Sequence, residues 1–199
     1  MTHGSLSPIY LERQSPWKKR LVAPLERFFF ARAARVVVTG PWEEAWCRAW
    51  GVKGPFQTVD LKATFAFPPP PEPARVEGRP FRVLYLGRLH PLKGIAQLEA
   101  AVKGLSVEVR VESAAFGDAK EAAFHWCDCL VLPTLSENFG FVVAEALMHA
   151  RRAIVTDGAM AWAAQPGVRF VRDYARAPFD EQVRLLREAI IAESEGGDS

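Results

Sequence analysis

The sequence predicts an α/β fold, a parallel sheet with helices on both faces, and three observations carry that prediction. From Phe81 onward, strand-like and helix-like segments alternate, as they do where crossover helices join parallel strands. The apolar run Cys129-Leu-Val-Leu132 leads through a polar turn, Ser136-Glu-Asn-Phe-Gly140, into a helix-period segment. That layout places ligands at the carboxyl end of a parallel sheet. Finally, 49% of the 199 residues are apolar, enough for a substantial core.

Taken in order, residues 2–8 read as a loop. Ser15-Pro16 supplies a cap and a first-position proline, so a helix is expected from there to about residue 34. It interleaves Trp17, Leu21, Leu25, Phe28 and Phe29 with Lys18, Lys19, Arg20, Arg27 and Arg32. Two readings compete for this helix 16–34. In the favoured one its apolar stripe packs on a sheet and its cations are solvated. In the other, basic and aromatic residues together meet the surface of an anionic membrane. Residues 35–39 read as a short buried strand, and Gly40-Pro41 opens a second helix that closes at Gly51. The proline run of residues 67–80 fits neither helix nor central strand and reads as a semi-rigid spacer. Beyond it, strands are expected at 81–87, 106–112, 129–132, 153–156 and 168–171, and helices at 94–103, 118–126, 140–150 and 179–193. The resulting division is an amino-terminal segment 1–66, a linker 67–80, an α/β domain 81–177, and a terminal helix with a polar tail, 178–199.

The net charge of +2 gives no case for nucleic acid as a partner. Three cysteines, Cys47, Cys127 and Cys129, are too few for a disulfide framework and point to a reducing cytosol. No secretory signal follows Met1, and no apolar run reaches membrane-spanning length, so the expectation is a soluble or membrane-peripheral cytoplasmic protein. His125-Trp-Cys-Asp-Cys129 carries metal-ligand residue types, but without the paired spacing of a zinc site it reads as core packing.

The candidate chemistry lies in two stretches. In Phe81-Arg-Val-Leu-Tyr-Leu-Gly87-Arg-Leu-His-Pro-Leu-Lys93-Gly94, a strand ends at Gly87, and Arg88 and Lys93 follow as two cations suited to a diphosphate. In Pro133-Thr-Leu-Ser-Glu137-Asn-Phe-Gly140, followed by Glu145, two carboxylates bracket a helix start whose unpaired N–H groups suit phosphate. Each carboxylate can accept from a pair of hydroxyls, so a sugar ring or a ribose is a natural ligand. Taken singly, each of these residues reads as an ordinary cap or loop charge.

Gly-Arg-Leu-x-Pro-x-Lys-Gly at 87–94, followed by Leu-Pro-Thr-x-Ser-Glu-Asn-Phe-Gly-(x4)-Glu-Ala-Leu at 132–147, resembles the nucleotide-sugar half of family 4 (group 1) of the GT-B glycosyltransferases. The stretch His3-Gly-x-Leu-Ser-Pro8 resembles the end of the first domain of the same family. The resemblance implies a Rossmann-like carboxyl-terminal domain beside a partial amino-terminal one. It implies that Arg88 and Lys93 hold the donor diphosphate, that Glu137 with Asn138, Phe139 and Gly140 holds the transferred sugar, and that Glu145 holds the ribose. Glu137 and His3 are the implied catalytic pair. The implied activity is transfer of a sugar from a nucleotide-diphosphate donor, with retention, without metal and without a cofactor, onto a glycan, lipid-linked or lipopolysaccharide acceptor.

The chain departs from the family pattern in several places. Gln57-Thr-Val-Asp60 stands where the family carries a Pro-Asn-Gly turn. One βα unit is missing before residue 118, so a five-stranded sheet is expected, and the usual base contacts near residues 113–120 fall beside that deletion. The family's earlier strands have no counterpart before His3. A second reading therefore stands beside the enzyme: a non-catalytic nucleotide-sugar-binding remnant, or a subunit completed by a partner chain.

Overall fold

The computed structural model describes residues 6–13, 16–72 and 77–196. Its main sheet comprises β3 (Phe81–Leu86), β4 (Val107–Glu112), β5 (Cys129–Leu132), β6 (Arg152–Thr156) and β7 (Val168–Val171). All are parallel, in the order β4-β3-β5-β6-β7. Five strands is the number expected after loss of one βα unit. Side chains alternate between the faces, as the two-residue period of a strand requires. Leu84, Leu130, Leu132, Ala153 and Val155 enter one core, with Phe124, Val143, Ala144, Leu147 and Trp162. Phe81, Val83, Tyr85, Cys129, Val131 and Ile154 enter the other, with Leu98, Ala101, Leu186 and Ile190.

These cores assign the helices. On the first face lie α5 (Asp118–Trp126) and α6 (Phe141–Met148), and on the second α4 (Ile95–Ala101) and α7 (Phe179–Ser194). The last helix is fastened by a buried charge. Glu193, 2% exposed, is bonded by Arg152 of β6 and, at 2.8 Å, by Arg169 of β7. Cys127 and Cys129 are buried, as the core reading requires, and burial pushes the Cys127 thiol up to about 12. At the amino end of β3 and β5, Arg79 grips Asp128 with two bonds of 2.7 Å, and Asp128 also accepts the Arg82 N–H at 2.8 Å.

The amino-terminal stretch differs from expectation in three ways. The expected loop 2–8 gives way at Pro8 to a helix not foreseen there, α1 (Pro8–Arg13): the Ser7 carbonyl accepts the Leu11 N–H at 2.9 Å, and a proline occupies the tolerated first position. Around Gln57 the chain forms a strand, β2 (Phe56–Thr58), paired parallel with β1 (Val36–Val38). The third difference concerns α2 (Pro16–Arg32). Its expected packing stripe is exposed, with Trp17 at 65%, Leu21 at 74% and Phe29 at 63%. The face turned inward is instead Ala23, Glu26 and Phe30, positions three and four apart on one side of the helix, with Arg27 at its rim. Arg27 donates to the Trp50 carbonyl at 2.8 Å and Glu26 accepts the Trp50 indole N–H at 3.0 Å, at the end of α3 (Pro41–Ala49). A two-stranded sheet is too narrow to cover both sides of a long helix. Among the described residues no helix is long and apolar enough to cross a membrane.

Residues 65–72 and 77–80 contain neither helix nor strand. Phe65 and Phe67 nevertheless fold back on the main sheet, their rings 6.3 Å from Phe139 and 6.2 Å from Trp162 respectively.

Candidate functional site

From β3 the chain steps outward to β4, then returns to β5 on the opposite side of β3. The crevice between the carboxyl ends of β3 and β5 is therefore a topological switch point, where open parallel sheets bind ligands. A cleft of about 320 Å³ lies there, and Arg88, Lys93, Glu137, Asn138, Phe139 and Gly140 all line it.

Two loops are stitched together to make this cleft. Leu135 donates its N–H to the Leu92 carbonyl at 2.8 Å, and the Thr134 hydroxyl donates to the same oxygen at 3.1 Å. Gly94 permits the close approach. Its φ is +70°, and a Cβ there would lie 1.9 Å from the Pro133 carbonyl oxygen. Held in this way, Lys93 Nζ reaches Glu137 Oε2 at 2.5 Å, with the two side chains 14% and 22% exposed. The other carboxylate oxygen of Glu137 accepts the Asn138 N–H at 3.0 Å, and the Glu137 N–H donates to the Gly158 carbonyl at 2.8 Å. The carboxylate thus faces the cleft with its backbone anchored behind it.

Gly140 closes the loop in the left-handed region (φ +78°) and starts α6, so the first-turn N–H groups of Phe141 and Val142 border the cleft. The Trp162 indole donates to the Phe139 carbonyl at 2.5 Å and buttresses the turn from beneath. Gly158 and Trp162 support the loop and are not among the residues lining the cleft. On the other wall, the buried Tyr85 hydroxyl donates to the Arg88 carbonyl at 2.8 Å. Burial, and then the Glu137 charge, push the Tyr85 phenol up to about 12, which keeps it a neutral donor. The Arg88 side chain is exposed and makes no ion pair among the described residues. With Arg88 and Lys93 against Glu137, the cleft carries one net positive charge, suited to an anion.

Of the eight residues singled out by sequence, the cleft therefore gathers Arg88, Lys93, Glu137, Asn138, Phe139 and Gly140. Glu145 is not among its lining residues: from the second turn of α6 it pairs with Lys120 of α5 at 2.5 Å. His3 lies outside the described residues. Sequence reasoning missed Tyr85, which it read only as strand, and Lys120, which stands 25 positions from Glu145 with no local spacing to link them.

Comparison with known proteins bears on the fold and the family. Among curated proteins none matches the sequence significantly. Solved structures with the same fold include sucrose-phosphate synthase from Thermosynechococcus elongatus, 20% identical with a TM-score of 0.63, over 97% of this chain and 59% of that one. Anabaena HepE in complex with UDP and glucose is 16% identical with a TM-score of 0.63, over 96% and 60%. The lipopolysaccharide outer core galactosyltransferase WaaB is 18% identical with a TM-score of 0.56, over 82% and 54%. The chain thus spans between 54% and 60% of the length of these three. Residues 2–62 match the glycosyl transferase 4-like domain, and residues 74–188, more than half of the chain, match the glycosyl transferases group 1 family. The chain belongs to the group 1 glycosyl transferases.

Proposed function

We propose that the cleft binds a nucleotide-diphosphate sugar and that the protein takes part in transferring that sugar to a glycan, lipid-linked or lipopolysaccharide-type acceptor. One observation carries the reading: Arg88, Lys93, Glu137 and the amino end of α6 converge on a single crevice at the switch point of a parallel sheet. In this reading Arg88 grips the diphosphate by its guanidinium fork and Lys93 adds a point charge. Glu137 and the backbone of Asn138 to Gly140 take the sugar hydroxyls. Glu145 accepts from the ribose by sharing its carboxylate with Lys120. The basic pair and the helix N-terminus stabilise the leaving diphosphate, so transfer with retention and without a metal is the chemistry the residues favour.

Titration of the full chain with UDP, GDP and ADP tests this reading. We expect saturable binding of at least one nucleotide, weakened about tenfold or more by Arg88→Ala, the usual effect of losing a charge-assisted hydrogen bond. Absence of binding by all three would overturn it. Binding with neither donor hydrolysis nor transfer would favour the second reading, a nucleotide-sugar-binding remnant or a subunit needing a partner. That second reading draws on the exposed stripe of α2 beside a two-stranded sheet with open edges. Further polypeptide covering that face, whether of the same protein or of another chain, would complete the layer. Co-sedimentation with anionic vesicles would instead assign helix 16–32 to a membrane surface.

A further inference from the structure

A second constellation lies where α5 and the end of α6 meet. Glu121 and His125 stand four apart on α5 and so share a helix face. His149 follows the last turn of α6. One ligand atom from each of the three lies within 4.8 Å of the others. Nothing in the donor cleft uses these residues, and no local motif in the sequence connects residue 149 to residues 121 and 125.

His149 is the fixed member. Its ring stacks on Phe124 at 4.8 Å and 21°, and its Nδ1 lies 2.7 Å from the Glu145 carbonyl oxygen. A carbonyl can only accept, so Nδ1 carries the proton and Nε2 is turned outward, 2.6 Å from a Glu121 oxygen. A backbone carbonyl on one ring nitrogen is how ligating histidines are oriented in metal sites. The other two members can move: Glu121 and His125 are exposed, and the His125 ring presents itself edge-on to His149 at 5.7 Å. Tetrahedral coordination with bonds of about 2.0–2.1 Å needs donor atoms roughly 3.4 Å apart. A shift of about 1 Å in two surface side chains brings the set to that spacing.

We propose that Glu121, His125 and His149 form a zinc-type divalent metal site that clamps α5 to α6. Two imidazoles and a carboxylate suit Zn²⁺, Co²⁺ or Ni²⁺ rather than Mg²⁺ or Ca²⁺, which take all-oxygen shells. The Glu121 carboxylate offsets part of the ion's charge. The nearby cations are both engaged: the Arg151 guanidinium with the Phe124 carbonyl at 2.9 Å and the His125 carbonyl at 3.3 Å, and Lys120 with Glu145 at 2.5 Å. Because Lys120 and Glu145 join the same two helices one turn away, the metal would brace the base of the segment bearing Glu145.

The test uses the full chain freed of metal and titrated with Zn²⁺ and Co²⁺. One equivalent of Zn²⁺ is expected to raise the unfolding temperature. Co²⁺ should give visible ligand-field bands without thiolate charge transfer, because Cys47, Cys127 and Cys129 are buried. His125→Ala, which removes an exposed ring and no packed contact of the core, should weaken binding about tenfold or more. His149→Ala should abolish it, and His90→Ala should leave it unchanged. No thermal shift and no bands at millimolar metal would overturn the proposal, leaving His149 and Glu121 as an ion pair only. So would binding that survives His125→Ala, or a thiolate signature.

Discussion

Single residues here act mainly by fixing their neighbours. Gly94 matters because its φ of +70° and the Pro133 carbonyl at 1.9 Å from a notional Cβ leave no room for a side chain. Gly94→Ala is expected to cost at least about 2 kcal/mol, combining left-handed strain of roughly 1–2 kcal/mol with displacement of a packed loop. Urea unfolding reads that loss, and separation of Lys93 from Glu137 should weaken nucleotide binding in the same variant. Asp128 gives a pH signature. Burial opposes its charge, but the Arg79 bonds and the Arg82 N–H outweigh that and hold the carboxyl below its ordinary range. Because the folded-state pKa is depressed, the stabilisation is present above the unfolded value of about 3.9 and fades as pH falls through the lower folded value. Asp128→Asn should therefore cost about 1–2 kcal/mol near neutrality, with wild type and variant converging below that range.

At the scale of elements, the strands and helices from Phe81 onward could be read from the sequence because their signals are local. Asp118–Trp126, Val168–Val171 and the start of α7 at Phe179 lie at the expected positions. What escaped depended on distant partners. β2 is a strand only because Val36–Val38 lies alongside it, and a short stretch such as Phe-Gln-Thr carries little periodicity of its own. The helical moment of α2 was visible, but not which side would find a partner. Six of the eight candidate site residues share the cleft because their motifs sit at strand ends, whereas Glu145, a turn further along α6, pairs with Lys120, a partner no local spacing announces. The buried link from α7 to the sheet is likewise non-local. Glu193→Ala should remove the buried carboxylate that Arg152 and Arg169 share and cost about 3 kcal/mol or more, measured by thermal or urea unfolding. Replacing Glu181, whose partner Arg184 is exposed on the same helix, should leave the unfolding midpoint essentially unchanged, because water screens that pair.

For the whole molecule, the contrast is between a sheet covered on both faces and an amino-terminal layer covered on one. Trp17, Leu21, Leu25, Phe28 and Phe29 form an exposed apolar stripe larger than isolated surface residues would explain. The double variant Leu21→Lys with Phe28→Glu should leave the unfolding free energy within about 0.5 kcal/mol of wild type, because neither side chain is buried. Sedimentation velocity of the wild type is expected to show concentration-dependent association through this stripe, and the same variant should abolish it. Association that persists would place the contact elsewhere.

The aromatic fold-back of Phe65 and Phe67 onto Phe139 and Trp162 also has a mechanical meaning. The tether leaving the amino-terminal layer is anchored directly beneath the turn that ends at Gly140, with no slack segment between them. Any swing of that layer must lever on the same rings that hold up the Glu137–Gly140 loop, so opening of the molecule and reshaping of the loop are one motion instead of two.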